Sequence, residues 1–237
     1  EKTFEDSPLN RVLAQAAPGD TWKKGANEIT FSYTTNAATE VLNFGVSLTT
    51  TGVPTLTFNK NYAAGTLYKT VTTDENGQPI QEFKDKEGRI VLKRINVPAS
   101  IDGNSSGNHD TYYVYDIYGN LTYVLPPKLI EVGGVLIASY RNNLAELGYQ
   151  YQYDSKYRLV EKQLPGKGRE FMIYDNQDRL VATQDALMRA QNKWLFTKYD
   201  QFGRIAITGF TWETNSRAVI QDYVSNSLGT NNVARSA

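Results

Sequence analysis

The chain lacks cysteine and has a single histidine among its 237 residues. The absence of cysteine excludes disulfides, thiolate metal sites and cysteine nucleophiles. One histidine excludes a two-histidine metal pair or relay, and we expect no cofactor and no metal. Lys and Arg total 25 and Asp and Glu total 25, so the formal net charge is zero. Nucleic-acid binders usually carry a basic excess, so we expect no nucleic-acid partner.

Long apolar runs are also missing. No stretch approaches the roughly 18 consecutive apolar residues of a membrane helix, so we expect no membrane insertion. No leader pattern opens the chain, which begins Glu-Lys-Thr-Phe rather than with Met. We therefore expect an excised piece or a processed product. The chain is long enough to bury a real core.

Tyrosine is abundant instead, with 16 Tyr beside 9 Phe and 3 Trp. Four tyrosines open a recurring pattern: Tyr-Asp, two variable residues, a turn residue, a polar residue, then Leu or Ile. The copies read YDIYGNL at 115–121, YDSKYRL at 153–159, YDNQDRL at 174–180 and YDQFGRI at 199–205, with variants KDKEGRI at 84–90 and DENGQPI at 74–80. The motif residues that we single out are Tyr115, Asp116, Gly119, Leu121, Tyr153, Asp154, Arg158, Leu159, Tyr174, Asp175, Arg179, Leu180, Tyr199, Asp200, Gly203, Arg204, Ile205, Asp85, Gly88 and Arg89.

The motif predicts a hairpin turn. Asp is favoured at the first position of a type I turn, where its carboxylate accepts backbone N–H groups. A glycine three residues later suits a left-handed backbone, which gives a bulged hairpin. Gly88, Gly119 and Gly203 fit that position and Asp178 fits tolerably. Tyr157 fits badly, because bulky residues rarely have positive φ, so we expect another turn type at Asp154.

The flanks alternate like strands, so each repeat is predicted to be one antiparallel hairpin that pairs with its neighbours. We expect an all-β, mainly antiparallel fold: an open, twisted sheet with at most one short helix. We expect residues 1–66 to form a less regular β-rich segment, with strands near 29–33, 40–48 and 55–62. Residues 67–237 are expected to form the repeat sheet, and both segments to belong to one continuous unit. The helix is expected at 135–147, ended by Gly148.

The four copies resemble the YD repeats of the Rhs family. Further stretches are similar to Rhs proteins of Bacteroidetes: SPLNRVLAQAAPGDTW at 7–22, GTLYKTVTTDENG at 65–77, TYYVYDIYGNLTYVLPP at 111–127 and WLFTKYDQFGRI at 194–205. The resemblance implies a long antiparallel sheet that spirals into a hollow shell, as in teneurins and the C components of insecticidal toxin complexes. Toxin members enclose a polymorphic C-terminal domain, clipped by an aspartyl autoprotease core. Neither that core signature nor a toxin-like domain at 224–237 is found in this chain, so the chain resembles an interior piece of a larger Rhs-like protein.

Several residues admit a chemical interpretation beside a structural one. The repeated aspartates could be acid/base groups or calcium ligands, but turn formation is a sufficient reason for each. The polar loop DGNSSGNHD at 102–110 has calcium-ligand residue types without the EF-hand pattern. His109 beside Asp110 could be a catalytic dyad, yet no nucleophile signature accompanies it. GKGR at 166–169 resembles part of a phosphate loop, and a tight connection between strands fits it better.

The aromatic residues could also bind a ligand. Tyrosines could stack on sugars, but Tyr also suits half-buried strands, and its fixed repeat position favours packing. Trp22, Trp194 and Trp212 are the better candidates for ligand contacts, provided that they are exposed.

These observations lead to three functional hypotheses. The first is a non-catalytic scaffold in a large secreted or cell-surface protein of a Gram-negative bacterium. Its partner is the remainder of the parent Rhs-like chain. We expect its unpaired strand edges either to associate in a homo-oligomer or to be covered by loops. The second is a surface adhesin that binds a glycan or a protein through exposed aromatics. An enzyme ranks third.

Overall fold

The computed structural model describes residues 1–97, 107–133, 137–226 and 233. The chain divides into two compact units. Residues 1–47 and 55–141 form the first, and residues 48–54 and 142–237 form the second. Both are built mainly from antiparallel strands, as the sequence predicts.

The first unit is an antiparallel sheet with a two-stranded insertion. Its strands are β1 (Lys2–Phe4), β2 (Val12–Gln15), β3 (Ile29–Thr35), β4 (Leu42–Leu48), β5 (Pro54–Asn61), β6 (Tyr68–Thr73), β7 (Pro79–Lys84), β8 (Ile90–Val97), β9 (Gly107–Tyr115) and β10 (Leu121–Leu125). They pair in the order β1-β2-β3-β6-β7-β8-β9-β10, while β4 and β5 pair with each other. The strands expected near 29–33, 40–48 and 55–62 are confirmed as β3, β4 and β5.

The second unit is an antiparallel meander. Its strands are β11 (Tyr149–Tyr153), β12 (Leu159–Gln163), β13 (Glu170–Tyr174), β14 (Leu180–Gln184), β15 (Lys193–Tyr199) and β16 (Ile205–Trp212). Each pairs with the next along the chain. The segment 166–169 lies in the connection from β12 to β13, where the Lys167 N–H donates to the Leu164 carbonyl, which confirms the strand-connection interpretation.

The helices correct one expectation. The described residues include α1 (Pro127–Gly133), α2 (Ile137–Leu147), α3 (Ala186–Ala190) and α4 (Arg217–Asn226), so the expectation of at most one helix is wrong. Pro127 begins a helix, where its missing N–H costs nothing. Asp185 caps α3 by accepting the Met188 N–H. The expected helix is confirmed as α2, although residues 135 and 136 lie outside the described residues.

Each unit has its own core. In the first, Phe44 of β4 packs edge-on against Tyr112, at 5.2 Å between centroids, and against Tyr140, at 5.1 Å. These contacts hold the β4–β5 insertion on the sheet. In the second, Val160 and Ile173 are fully buried.

Residues 107–110 correct a second expectation. They belong to β9 rather than to a polar loop, because they continue the ladder with β8, in which Asp110 faces Arg94. Residues 102–106 of the predicted loop lie outside the described residues.

Candidate functional site: a repeated arginine–tyrosine contact

Each repeated aspartate organises its own turn. At Asp175 the backbone N–H donates to the Arg179 carbonyl, and carboxylate Oδ1 accepts the N–H groups of Gln177 and Arg179 at 2.9 Å. The same pairs of bonds to Oδ1 occur at Asp74, Asp85, Asp116, Asp154 and Asp200. In each turn, one carboxylate oxygen therefore accepts hydrogen bonds from the backbone, as the turn interpretation predicts.

The fourth residue of each turn has a left-handed backbone. Gly88, Gly119 and Gly203 have φ of 80°, 86° and 77°, and the hairpins at these turns show the predicted register shift. Tyr157 has φ of 61° with the same turn hydrogen bonds. The expectation of a different turn at Asp154 is therefore wrong, because the aspartate bonds impose the conformation on a residue that disfavours it.

The second carboxylate oxygen holds an arginine. Arg158, Arg179, Arg89 and Arg204 each donate Nε to Oδ2 of the aspartate four residues earlier, at 2.7–2.8 Å. At Asp116 the amide of Asn120 takes this place at 2.9 Å. Burial opposes ionisation of Asp200, but the hydrogen bonds from Arg204 and Phe202 outweigh it and lower the pKa of that carboxyl. Charge-assisted bonds of this kind fix the guanidinium plane.

The held arginine contacts the tyrosine of the next hairpin. The Arg158 guanidinium carbon lies 4.9 Å from the centroid of the Tyr174 ring, and the Tyr174 hydroxyl donates to the Leu159 carbonyl at 2.8 Å. The same contact joins Arg89 to Tyr115 (5.0 Å; hydroxyl to Ile90 carbonyl, 3.1 Å) and Arg179 to Tyr199 (4.7 Å; hydroxyl to Leu180 carbonyl, 2.9 Å). We call this arrangement the Arg–Tyr clamp.

The clamp lies where two neighbouring hairpins separate. Strands β12 and β13 pair at Glu161↔Phe171 and Lys162↔Glu170, and this pairing begins three residues beyond Arg158. Continuing this register by three residues places Arg158 opposite Tyr174. The same offset relates Arg179 to Tyr199 beyond Ala182↔Phe196, and Arg89 to Tyr115 beyond Leu92↔Tyr112. Side chains therefore join the hairpins where the backbone ladder has ended.

A further clamp near the N-terminus escaped the sequence pattern. Glu5 replaces the aspartate and accepts Arg11 Nε and Nη2, both at 2.8 Å. Arg11 lies 4.4 Å from the Tyr33 ring centroid, and the Tyr33 hydroxyl donates to the Val12 carbonyl at 2.8 Å. The hydrogen bond from Arg11, with a second from Ser7, lowers the pKa of Glu5 to about 2. The acid and the arginine are six residues apart instead of four, so the sequence pattern did not include this copy. The available signal was the Arg-Val pair at the start of β2.

The candidate ligand-contact tryptophans have different surroundings. Trp194 is 2 % exposed and packs on Phe171 at 6.4 Å, so the expectation that it contacts a ligand is wrong: it is a core residue. Trp22 is 40 % and Trp212 69 % exposed. Trp22 lies beside an open cleft of about 560 Å³ that Asn27, Glu28 and the 73–77 turn also line.

The His109–Asp110 pair is not arranged as an isolated dyad. Asp110 is buried and pairs with Arg94, whose Nε and Nη2 each lie 2.7 Å from a carboxylate oxygen. Burial and the charge of Asp110 raise the pKa of the neighbouring Tyr112. Arg94 also donates to the Glu40 carbonyl, two residues before β4, so the ion pair gives Asp110 a structural role. Within the described ranges, no group of three or more His, Asp or Glu side chains is arranged to hold a metal ion.

Comparisons with known proteins agree with the architecture. Residues 1–35 match the model of a family described as a domain of unknown function, DUF6443. That segment holds the Glu5–Arg11–Tyr33 clamp. No curated protein matches the chain in sequence. None of the helices in the described part of the chain is long and apolar enough to cross a membrane.

The fold is similar to that of solved toxin-complex structures. The crystal structure of TcdB2-TccC3 matches with a TM-score of 0.50 and 16 % identity, over 94 % of this chain and 12 % of that one. The Photorhabdus luminescens Tc holotoxin pore matches with a TM-score of 0.49 and 12 % identity, over 90 % of this chain and 12 % of that one. The chain thus spans about an eighth of these structures' length, and at such identities the likeness shows the fold alone.

Proposed function

We propose that this chain is a non-catalytic structural module of a large Rhs-type protein, in which it forms part of a β-shell. The observation that carries the proposal is the clamp at Arg158–Tyr174, repeated at Arg89–Tyr115 and Arg179–Tyr199. In these three repeats the aspartate and the arginine of one turn hold the tyrosine of the next hairpin. Such nearest-neighbour contacts stabilise an array of repeats.

The proposed protein is secreted or displayed on the surface of a Gram-negative bacterium, and its shell encloses or presents a polymorphic C-terminal domain. The Rhs resemblance of the YD motifs, including the Bacteroidetes-like stretches, and the toxin-complex fold likeness support this role. The chain's partners are then the remainder of the parent polypeptide and strands that associate with its edges, including those of a second copy.

Limited proteolysis of the protein as the bacterium makes it tests the scaffold. The double variant Arg158→Gln, Arg179→Gln removes two clamps, and we expect cleavage between hairpins and earlier release of any enclosed domain. Lys128→Gln with Lys86→Gln changes equal charge outside the clamps, since Lys128 makes only an exposed ion pair with Glu131, and should cleave like the parent protein. Equal cleavage of both double variants would contradict the scaffold role.

The alternative function is adhesion. It is favoured by the exposed Trp22 beside its polar cleft, because aromatic faces flanked by amide and carboxylate groups suit sugar binding. A glycan-array signal lost in Trp22→Ala or Trp212→Ala but retained in Lys86→Gln would support adhesion. No signal with the parent chain would argue against it.

A further inference from the structure

The last strand of the second unit has an unusually unprotected edge. β16 ends the strand order, and within the described ranges no strand pairs with its outer side. Its eight residues, IAITGFTW, include no charged side chain, whereas free edges are normally protected by charge, proline or shortness. Ile205 is 64 % exposed, and Ile207, Phe210 and Trp212 are also exposed. An apolar edge of this kind is suited to pairing.

The turn before β16 is half of an Arg–Tyr clamp. Arg204 is held by Asp200 as in the other repeats, and its side chain is 63 % exposed, against 16 % for Arg158 and Arg179, 33 % for Arg89 and 41 % for Arg11. The difference arises because Arg158 and Arg179 lie against the tyrosine of the next hairpin. Arg204 lies instead against Phe202 of its own turn, 5.1 Å from the ring centroid.

We propose that the β16 edge binds an antiparallel strand ending in Tyr-Asp, supplied by a further hairpin of this type. This inference rests on the proposed scaffold and names its partner at one edge. The incoming ring stacks on Arg204, and its hydroxyl donates to the Ile205 carbonyl. Continuity with the observed interfaces carries the assignment, since the β12/β13 and β14/β15 contacts have this geometry.

The internal clamps also define the register and the sequence of the partner. In each, the residue three after the arginine pairs with the residue three before the tyrosine, as in Glu161↔Phe171 and Ala182↔Phe196. Ile207 should therefore pair with the residue three before the incoming tyrosine. That residue is aromatic in the three clamps whose tyrosine precedes an aspartate, FMIYD at 171–175, FTKYD at 196–200 and YYVYD at 112–116, and it is Thr30 in the Tyr33 clamp. The partner is thus an aromatic-x-x-Tyr-Asp strand.

A second copy of this chain fits the edge less well. Tyr33, Tyr115, Tyr174 and Tyr199 are already engaged in clamps within the chain. Tyr153, which precedes Asp154, ends β11, which is not at an end of the strand order. The strand β1, at the other end of the strand order, ends in Phe4-Glu5, which offers a ring without a hydroxyl. It cannot donate the hydrogen bond to the Ile205 carbonyl.

A peptide probe tests the proposal. The probe is a head-to-tail cyclised peptide with the sequence of residues 170–184, the β13–β14 hairpin, titrated into the chain with Trp212 fluorescence and calorimetry as readouts. We expect saturable binding that weakens about fivefold when the probe carries Tyr174→Phe and further when it carries Tyr174→Ala. Arg204→Gln in the protein should weaken binding about tenfold, while Lys86→Gln should not.

The outcomes separate this inference from the scaffold itself. No binding, or equal binding of the three probes, would overturn the assignment of a tyrosine-ending strand. Self-association through β16 that excludes the probe would assign the edge to a second copy and would also overturn it. Neither result concerns the Arg158–Tyr174 contact, so the scaffold proposal is tested separately by the variants of the internal clamps. Because the probe variants leave the protein unchanged, a folding defect in Arg204→Gln does not obscure the result.

Discussion

Arg158 and Tyr174 belong to different hairpins, yet the guanidinium carbon of one lies 4.9 Å from the ring centroid of the other. Asp154 holds the guanidinium from its own turn, and the Tyr174 hydroxyl returns a hydrogen bond to the Leu159 carbonyl. The Tyr-Asp motif therefore has two roles. Its aspartate closes one hairpin, and its tyrosine attaches that hairpin to the preceding one.

The clamp hydroxyl should contribute measurably to stability. Tyr174→Phe removes one hydrogen bond to a strand carbonyl, and we expect a loss of about 1 kcal/mol in the free energy of unfolding. Urea denaturation measures the change. Tyr68→Phe is the matched control, because Tyr68 lies on a strand with its side chain largely exposed. An equal effect of the two substitutions would argue against the clamp.

The turn glycines should be sensitive to backbone conformation alone. Gly88 has φ of 80°, and an added Cβ would meet no atom within 4 Å. We expect Gly88→Ala to destabilise the protein by about 1 kcal/mol, and Gly88→Asn by less, because Asn tolerates this region better. Thermal unfolding distinguishes the two variants. Identical melting temperatures for both variants and the parent would contradict the turn geometry.

The Glu5–Arg11 pair should respond to acid. Hydrogen bonds from Arg11 and Ser7 lower the pKa of Glu5 from 4.5 to about 2. The unfolded chain binds this proton first on acidification, so the stabilising contribution is present above pH about 4.5 and is lost as pH falls towards 2. A carbon-13 titration of the Glu5 carboxyl measures the pKa directly. In Arg11→Gln it should move back towards 4.5, and an unchanged value would show that Arg11 is not the cause.

The buried Arg94–Asp110 pair should be costly to break. Asp110→Asn leaves Arg94 without its carboxylate in a site where both side chains are about nine-tenths buried. We expect a loss of about 3–5 kcal/mol, measured by urea denaturation. Glu131→Gln, at an exposed ion pair with Lys128, should change stability by less than about 1 kcal/mol. A small effect at both positions would contradict the structural role of Asp110.

The sequence predicted the hairpins because the turn chemistry of Asp and Gly is local. It could not show that Arg158 reaches Tyr174, since that contact depends on strand register between hairpins. Tyr157 was misjudged because propensity alone ignores the two hydrogen bonds that Asp154 makes to the turn. The sequence pattern did not include Glu5, because a longer loop separates this acid from its arginine. The burial of Trp194 depends on tertiary packing, which the local sequence does not specify.

A double-mutant cycle measures whether Arg158 and Tyr174 hold their two hairpins together. Unfolding free energies of Arg158→Gln, Tyr174→Leu and the double variant give the coupling, with Arg158→Gln and Tyr199→Leu as the control pair. We expect a coupling of about 0.5–1 kcal/mol for Arg158–Tyr174 and additivity for the control. Additivity within about 0.3 kcal/mol for Arg158–Tyr174 itself would contradict it.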